Sequence, residues 1–198
     1  MKEKIFIDID EVAARTIEDW VYPIVNSDFW TNLSYETTIN YRDVFWNILN
    51  ENWKPIDLQR KIQIFNSAIL KDNWKNLIRP VQGSVDKILE FSKWFEIWML
   101  TARHPMLHEY TPKWVWEVFS WVVSQILFSN CYHGWKVTKS DICKQEWVRI
   151  MIEDDLDYSL ELAKNWIKVF LLSKPWNIYR NETHKNIVKV DSWDEIVL

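Results

Sequence analysis

Glycine is almost missing from this chain: its 198 residues include 2, where average usage would give about 14. Cysteine is nearly as scarce. Cys131 and Cys143 make no CxxC pair and no zinc-type spacing. The opening MKEKIFIDID places acids where a signal peptide needs an unbroken apolar segment, so the two thiols point to a reducing cytoplasm. No long hydrophobic run is present either. The most apolar stretch, near 114–128, is interrupted by Glu117, Ser120, Ser124 and Gln125, which predicts no membrane span. A net charge of −4 with no Lys/Arg cluster argues against a binder of nucleic-acid polymers, although a nucleotide substrate stays open. Repeats and low-complexity segments are absent. What is abundant is apolar material, 48% of residues, enough for one globular domain carrying a modest insertion.

The segment KIFIDIDEV, residues 4–12, organises the rest. Ile5, Phe6, Ile7 and Ile9 read as a buried strand over 4–9, and a period of two turns Asp8 and Asp10 to the same side where the strand ends. Ligands of open α/β sheets bind at such strand ends, so this pair is the first candidate for chemistry. An isolated DxD is more often two solvated acids in a turn. Later segments alter that balance.

After the first strand the spacing is mostly helical from 13 to 79, with helical apolar periods over 41–50 and 56–70 and a polar loop over 34–38. Beyond Pro80 and Gly83 the pattern alternates: helices over 85–93, 111–123, 139–146 and 157–165, strands over 95–100, 125–129, 148–153, 167–172 and 186–190, and a short helix from Ser192. Such alternation predicts a doubly wound, mainly parallel α/β sheet built from residues 1–12 and 80–198. The segment 13–79 is too long for a βα loop and predicts a helical cap inserted after the first strand.

Three later strand ends carry groups suited to phosphate. FEIWML leads into Thr101-Ala102-Arg103, which offers a hydroxyl, a backbone amide and a guanidinium to a phosphoryl oxygen. RIMIEDD ends in Glu153, Asp154 and Asp155, with Asp157 close behind. Consecutive acids repel, and a divalent cation or a catalytic role explains keeping them together, although an acidic helix N-cap is the plainer alternative. Lys136 and Lys139 precede a helix, where an ammonium could neutralise phosphate; Lys139 is favoured for its place at the helix start. His104 and His108 stand four apart, but Pro105 between them makes ordinary loop histidines the better reading.

In order, DIDEV, LTAR, KVTKSDICK and IEDD resemble the four motifs of the haloacid dehalogenase-like phosphohydrolases, over nearly the whole chain. The finer resemblance is to the 5'(3')-deoxyribonucleotidase-like branch, through DIDEV, TAR, IEDD and an ending with KPWN and SWDEI; Glu11 stands where that branch often has Asp. The resemblance implies a Mg²⁺-dependent phosphomonoesterase with Asp8 as nucleophile and Asp10 as general acid and base. It implies Mg²⁺ held by Asp8, the Asp10 carbonyl and Asp154, with Asp155 or Asp157 supporting, and phosphoryl oxygens held by Thr101, Ala102 and Lys139. The implied substrate is a nucleoside monophosphate or similar small phosphate, with Phe29, Trp30, Tyr35, Tyr41, Phe45 and Trp46 as candidates to stack on a base. The alternative is a noncatalytic protein of this fold that binds a phosphorylated ligand or partner.

Tryptophan, ordinarily the rarest residue, occurs 15 times, and its surplus matches the glycine deficit. Trp94, Trp147 and Trp166 each stand between a predicted helix and a predicted strand, where a left-handed residue is needed and glycine is the usual answer. These positions predict UGA codons translated as tryptophan, from a gene whose source reads UGA as glycine. Trp114, Trp176 and Trp193 read as true tryptophans.

Overall fold

A computed structural model describes residues 2–29, 32–39, 78–103, 105–129 and 137–198. The helical periods over 41–50 and 56–70 lie outside the described residues, as do Trp30, Tyr41, Phe45, Trp46, His104, Cys131, Trp135 and Lys136. The chain divides into two compact units: Met1–Ala14, Pro80–Lys174 and Asn181–Leu198 form the first, Arg15–Arg79 and Pro175–Arg180 the second.

The first unit is built on six parallel strands, β1 (Glu3–Ile7), β2 (Phe95–Thr101), β3 (Val123–Phe128), β4 (Ile150–Glu153), β5 (Lys168–Leu172) and β6 (Ile187–Val190). Their order in the sheet is β3-β2-β1-β4-β5-β6, all neighbours parallel. The chain builds outward from β1 in one direction and then crosses to the other. β1 and β4 therefore flank the switch point, where polar groups at the strand ends meet. Both are made of residues that must be covered: Ile5, Phe6, Ile7, Met151 and Ile152 are all fully buried. Phe6, Trp98, Met151 and Val169 of four adjacent strands share a core with Ile142, Cys143 and Leu162 from the covering helices.

Helix α1 (Tyr22–Phe29) belongs to the second unit, and α2 (Ser84–Phe91), α3 (Tyr110–Phe119), α4 (Lys139–Gln145) and α5 (Leu156–Lys164) alternate with the strands of the first. Local chemistry starts the last two. Thr138 and Asp141 form a reciprocal capping box ahead of α4, and the Asp155 carboxylate accepts from the N–H groups of Asp157 and Tyr158 ahead of α5.

Several boundaries depart from expectation. The helix expected over 111–123 stops at Phe119, because Ser120 and Trp121 turn left-handed at φ 43° and 70°. The strand expected from 148 begins at Ile150, and the helix expected from Ser192 is a single 3-10 turn, Trp193–Glu195. The first strand ends at Ile7, although the Asp8 N–H still donates to the Ile152 carbonyl at 3.0 Å. At the glycine-like junctions, Trp147 and Trp166 have positive φ, 59° and 67°, but Trp94 does not. Lys93 and Trp94 instead close short turns onto Glu90 and Phe91.

In the second unit a π-turn, Ile17–Val21, runs into α1, and Asp19 binds Arg79 through its guanidinium (2.6 Å) and backbone N–H (2.9 Å). The loop expected over 34–38 contains a 3-10 turn, Tyr35–Thr37, and the Tyr35 ring meets Trp176 edge-on at 5.5 Å.

Candidate active site

Asp8 follows β1 directly, and beside it Glu153 closes β4 and Asp154 follows. Register does the assembling: Ile7 pairs with Ile152, so the next residues of the two strands, Asp8 and Glu153, fall side by side. Carboxylate oxygens of Asp8, Glu153 and Asp154 lie within 4.8 Å of one another, and all three residues are buried. Into this cluster reaches Lys139 from the first turn of α4, its Nζ 2.7 Å from Asp8 Oδ1 and 2.7 Å from Glu153 Oε2. Its side chain is 2% exposed, which makes the two bonds obligatory partners rather than surface contacts. The ammonium also sits 4.8 Å from the Tyr158 ring centroid.

Electrostatics follow from crowding without water. Burial pushes the Asp8 carboxyl up to about 8; Lys139 opposes the rise, and Glu153 and Asp10 add to it. Burial also holds Asp154 well above the ordinary carboxylate range, with Glu153, Asp8 and Asp155 adding repulsion and Lys174 opposing. For Lys139, burial alone would favour the neutral amine, but Asp8 and Glu153 outweigh it and hold the group charged. Lys139 thus binds two of the three carboxylates, Asp8 and Glu153. The donor set is all hard oxygen and overcharged on the negative side, which fits a divalent ion such as Mg²⁺.

Asp10 is held elsewhere on the same rim. Its carboxylate accepts from Arg103 Nε at 2.9 and 3.1 Å and from Nη2 at 2.7 Å. The guanidinium is itself buried, and Nη1 donates to Thr111 Oγ1 of α3 at 3.1 Å. Thr101, the last residue of β2, is fully buried, and its hydroxyl accepts the Arg103 backbone N–H at 3.2 Å. Ala102 follows it, half-buried. Asp155 caps the start of α5, its carboxylate accepting the Asp157 N–H at 2.8 Å, as the N-cap reading of this segment expects.

No protein-family model matches the sequence, and no curated protein matches it. Solved structures do resemble its fold. CbbY from Rhodobacter sphaeroides, in complex with phosphate, aligns over 98% of this chain and 96% of its own at TM-score 0.64 and 18% identity. The HAD-hydrolase YfnB from Bacillus subtilis, bound to magnesium, aligns over 98% and 96% at TM-score 0.64 and 11% identity. A haloacid dehalogenase-like hydrolase from Streptococcus pneumoniae aligns over 87% and 85% at TM-score 0.63 and 13% identity. This chain has the haloacid dehalogenase-like fold.

Within that HAD-like frame, Asp8, Lys139 and Asp154 come together, with Asp10, Thr101 and Ala102 on neighbouring strand ends. Sequence reasoning missed the part played by Glu153, which binds Lys139 and accepts the Asp155 N–H at 3.2 Å. The signal was present in its position as the last residue of an apolar strand, where a carboxylate is buried and needs a cation. The Arg103 to Asp10 pairing was also missed; a separation of 93 residues leaves no local trace. His108 behaves as a loop histidine, stacked on Phe128 with ring centroids 3.7 Å apart. Among the described residues no helix is long and apolar enough to cross a membrane. Burial pushes the Cys143 thiol up to about 12, which suits a packing residue and not a nucleophile.

Proposed function

We propose that this protein is a Mg²⁺-dependent phosphomonoesterase that works through an aspartyl-phosphate, with nucleoside monophosphates or similar small phosphates as substrates. The observation that carries the reading is the buried meeting of Asp8, Asp154 and Lys139 at the switch point of the sheet. A nucleophilic carboxylate, an ammonium and a spare acid in one place are the requirements of in-line attack on a phosphate ester.

In this reading an Asp8 oxygen bonds to phosphorus as the ester oxygen leaves, and Asp10 gives that oxygen a proton. Asp10 then takes a proton from the water that attacks the aspartyl-phosphate, which releases phosphate and restores Asp8. Lys139, the Thr101 hydroxyl and the Ala102 N–H hold the phosphoryl oxygens. Asp8, the Asp10 carbonyl and Asp154 would hold Mg²⁺, whose charge would offset the repulsion between anionic nucleophile and anionic substrate. Glu153 keeps Lys139 aimed at Asp8.

Residues 13–79 act as the cap that selects substrate, with Tyr35 as a candidate to stack on a base. Nucleotide preference rests on the motif resemblance, DIDEV with TAR and IEDD. Magnesium-dependent release of phosphate from p-nitrophenyl phosphate tests the chemistry, and a panel of nucleoside monophosphates against sugar phosphates tests the preference. Phosphate binding without turnover in the presence of magnesium would favour a noncatalytic binding protein instead.

A further inference from the structure

We infer that Trp121, Trp147 and Trp166 occupy glycine positions, and that the native product of this gene carries glycine at all three. Trp147 and Trp166 each sit at the left-handed position that ends a helix. After α4, the Val148 N–H reaches the Cys143 carbonyl at 2.9 Å and the Trp147 N–H reaches Lys144 at 3.2 Å. After α5, the Ile167 N–H reaches Leu162 at 3.2 Å and the Trp166 N–H reaches Ala163 at 3.1 Å. These paired bonds make the Schellman termination, whose left-handed residue is usually glycine because a Cβ there crowds the chain. The residues placed to make the apolar contact that accompanies the motif, Cys143 with Val148 and Leu162 with Ile167, all belong to the core. Everything in both motifs fits except the side chain at the turn.

Trp121 makes the third case through the left-handed pair Ser120-Trp121 between α3 and β3. Five described residues other than glycine have positive φ, and three of them are tryptophans. Exposure alone does not single them out, since Trp94 is 74% exposed and Trp116 is exposed as well, but no left-handed tryptophan is buried. Trp121, Trp147 and Trp166 are 83%, 86% and 76% exposed, whereas Trp20, Trp98, Trp114, Trp176 and Trp193 are buried. The contacts of the three are superficial: Trp121 stacks on the exposed Trp116, and Lys185 lies over Trp166. They do not form one docking face, because β3, which follows Trp121, lies three strands from β4, which follows Trp147. By contrast, the true glycine Gly83 has φ 79° and an added Cβ would meet the Trp193 Cβ at 3.3 Å. Trp94 drops out of the set, since its backbone is not left-handed. One substitution rule, glycine rendered as tryptophan at UGA codons, accounts for the left-handed backbone at these three tryptophans and for part of the glycine deficit and tryptophan surplus.

All three turns enter strands at the end opposite the acidic cluster, so the effect falls on stability. Trp121→Gly, Trp147→Gly, Trp166→Gly and the triple variant are made in the full chain and melted thermally. Each single change is expected to raise Tm by about 2–4 °C, and the three to add because the turns are separate. Trp114→Gly and Trp193→Gly are expected to lower Tm sharply, which shows that the gain belongs to position and not to loss of tryptophan. The gene supplies a second measurement: UGA is expected at codons 121, 147 and 166, and UGG at 114 and 193. A triple variant no more stable than the parent, or UGG at the three left-handed positions, overturns the inference.

Discussion

Arg103 grips the carboxylate of Asp10 with two nitrogens, Nε at 2.9 and 3.1 Å and Nη2 at 2.7 Å, while its third nitrogen is tied to Thr111. A side chain so anchored does not follow Asp10; it sets where Asp10 points. Arg103→Lys keeps the charge but loses the two-nitrogen fork. On the proposed mechanism the leaving oxygen of an alkyl phosphate would need the Asp10 proton, so its turnover is expected to fall by roughly 10²-fold or more, with a smaller loss for p-nitrophenyl phosphate. Equal losses on the two substrates would show that Asp10 does not depend on this contact.

Asp8→Asn tests the nucleophile. Amide for carboxylate preserves shape, so the fold and Tm are expected to survive while phosphatase turnover drops to background. Trapping of acid-stable phosphate on the parent protein but not on the variant would locate the intermediate. Undiminished turnover in Asp8→Asn would refute the assignment.

The Lys139 ammonium holds two buried carboxylates, so Lys139→Met leaves both uncompensated. A loss of about 3–5 kcal/mol of stability is expected for such a broken buried pair. Adding Glu153→Gln removes one orphaned charge, and the double variant is expected to be more stable than the sum of the single losses. Chemical denaturation of the four proteins measures the coupling. Strict additivity would contradict the contact.

If the cluster holds magnesium as proposed, metal binding and pH are linked through it. The folded-state values of Asp8 and Asp154 are raised, Asp8 to about 8. For acids shifted upward, folding is favoured while they stay protonated, and stability declines as pH climbs from about 4, the unfolded range, through the folded values. A cation that requires the ionised carboxylates binds better over the same climb and releases protons as it does so. The rise in Tm on adding MgCl₂ is therefore expected to be larger near pH 8 than near pH 5.5, read by thermal melts in matched ionic strength. A rise that is flat across this range would argue against a metal at these residues.

Much of the sheet was legible because alternation is local. The run Ile5-Phe6-Ile7 must be covered on both faces, and the helical periods after Pro80 must pack onto whatever covers it. DIDEV, LTAR and IEDD could be assigned to strand ends for the same reason, since each follows an apolar run. Boundaries were less legible where turns override propensity, as at Ser120 and Trp121, which cut α3 short.

By itself the sequence determined the alternation of elements, the acids and basic groups available at strand ends, and an excess of tryptophan that glycine's scarcity mirrors. Only the tertiary structure decided which of these groups meet. Glu153 became the partner of Lys139, and Arg103 of Asp10, because the sheet order brings together residues far apart in the chain. It also replaced Trp94 by Trp121 among the glycine-like sites. A left-handed turn is set by the hydrogen bonds that close a helix onto the next strand, and a residue's place between two elements does not reveal how that closure is made.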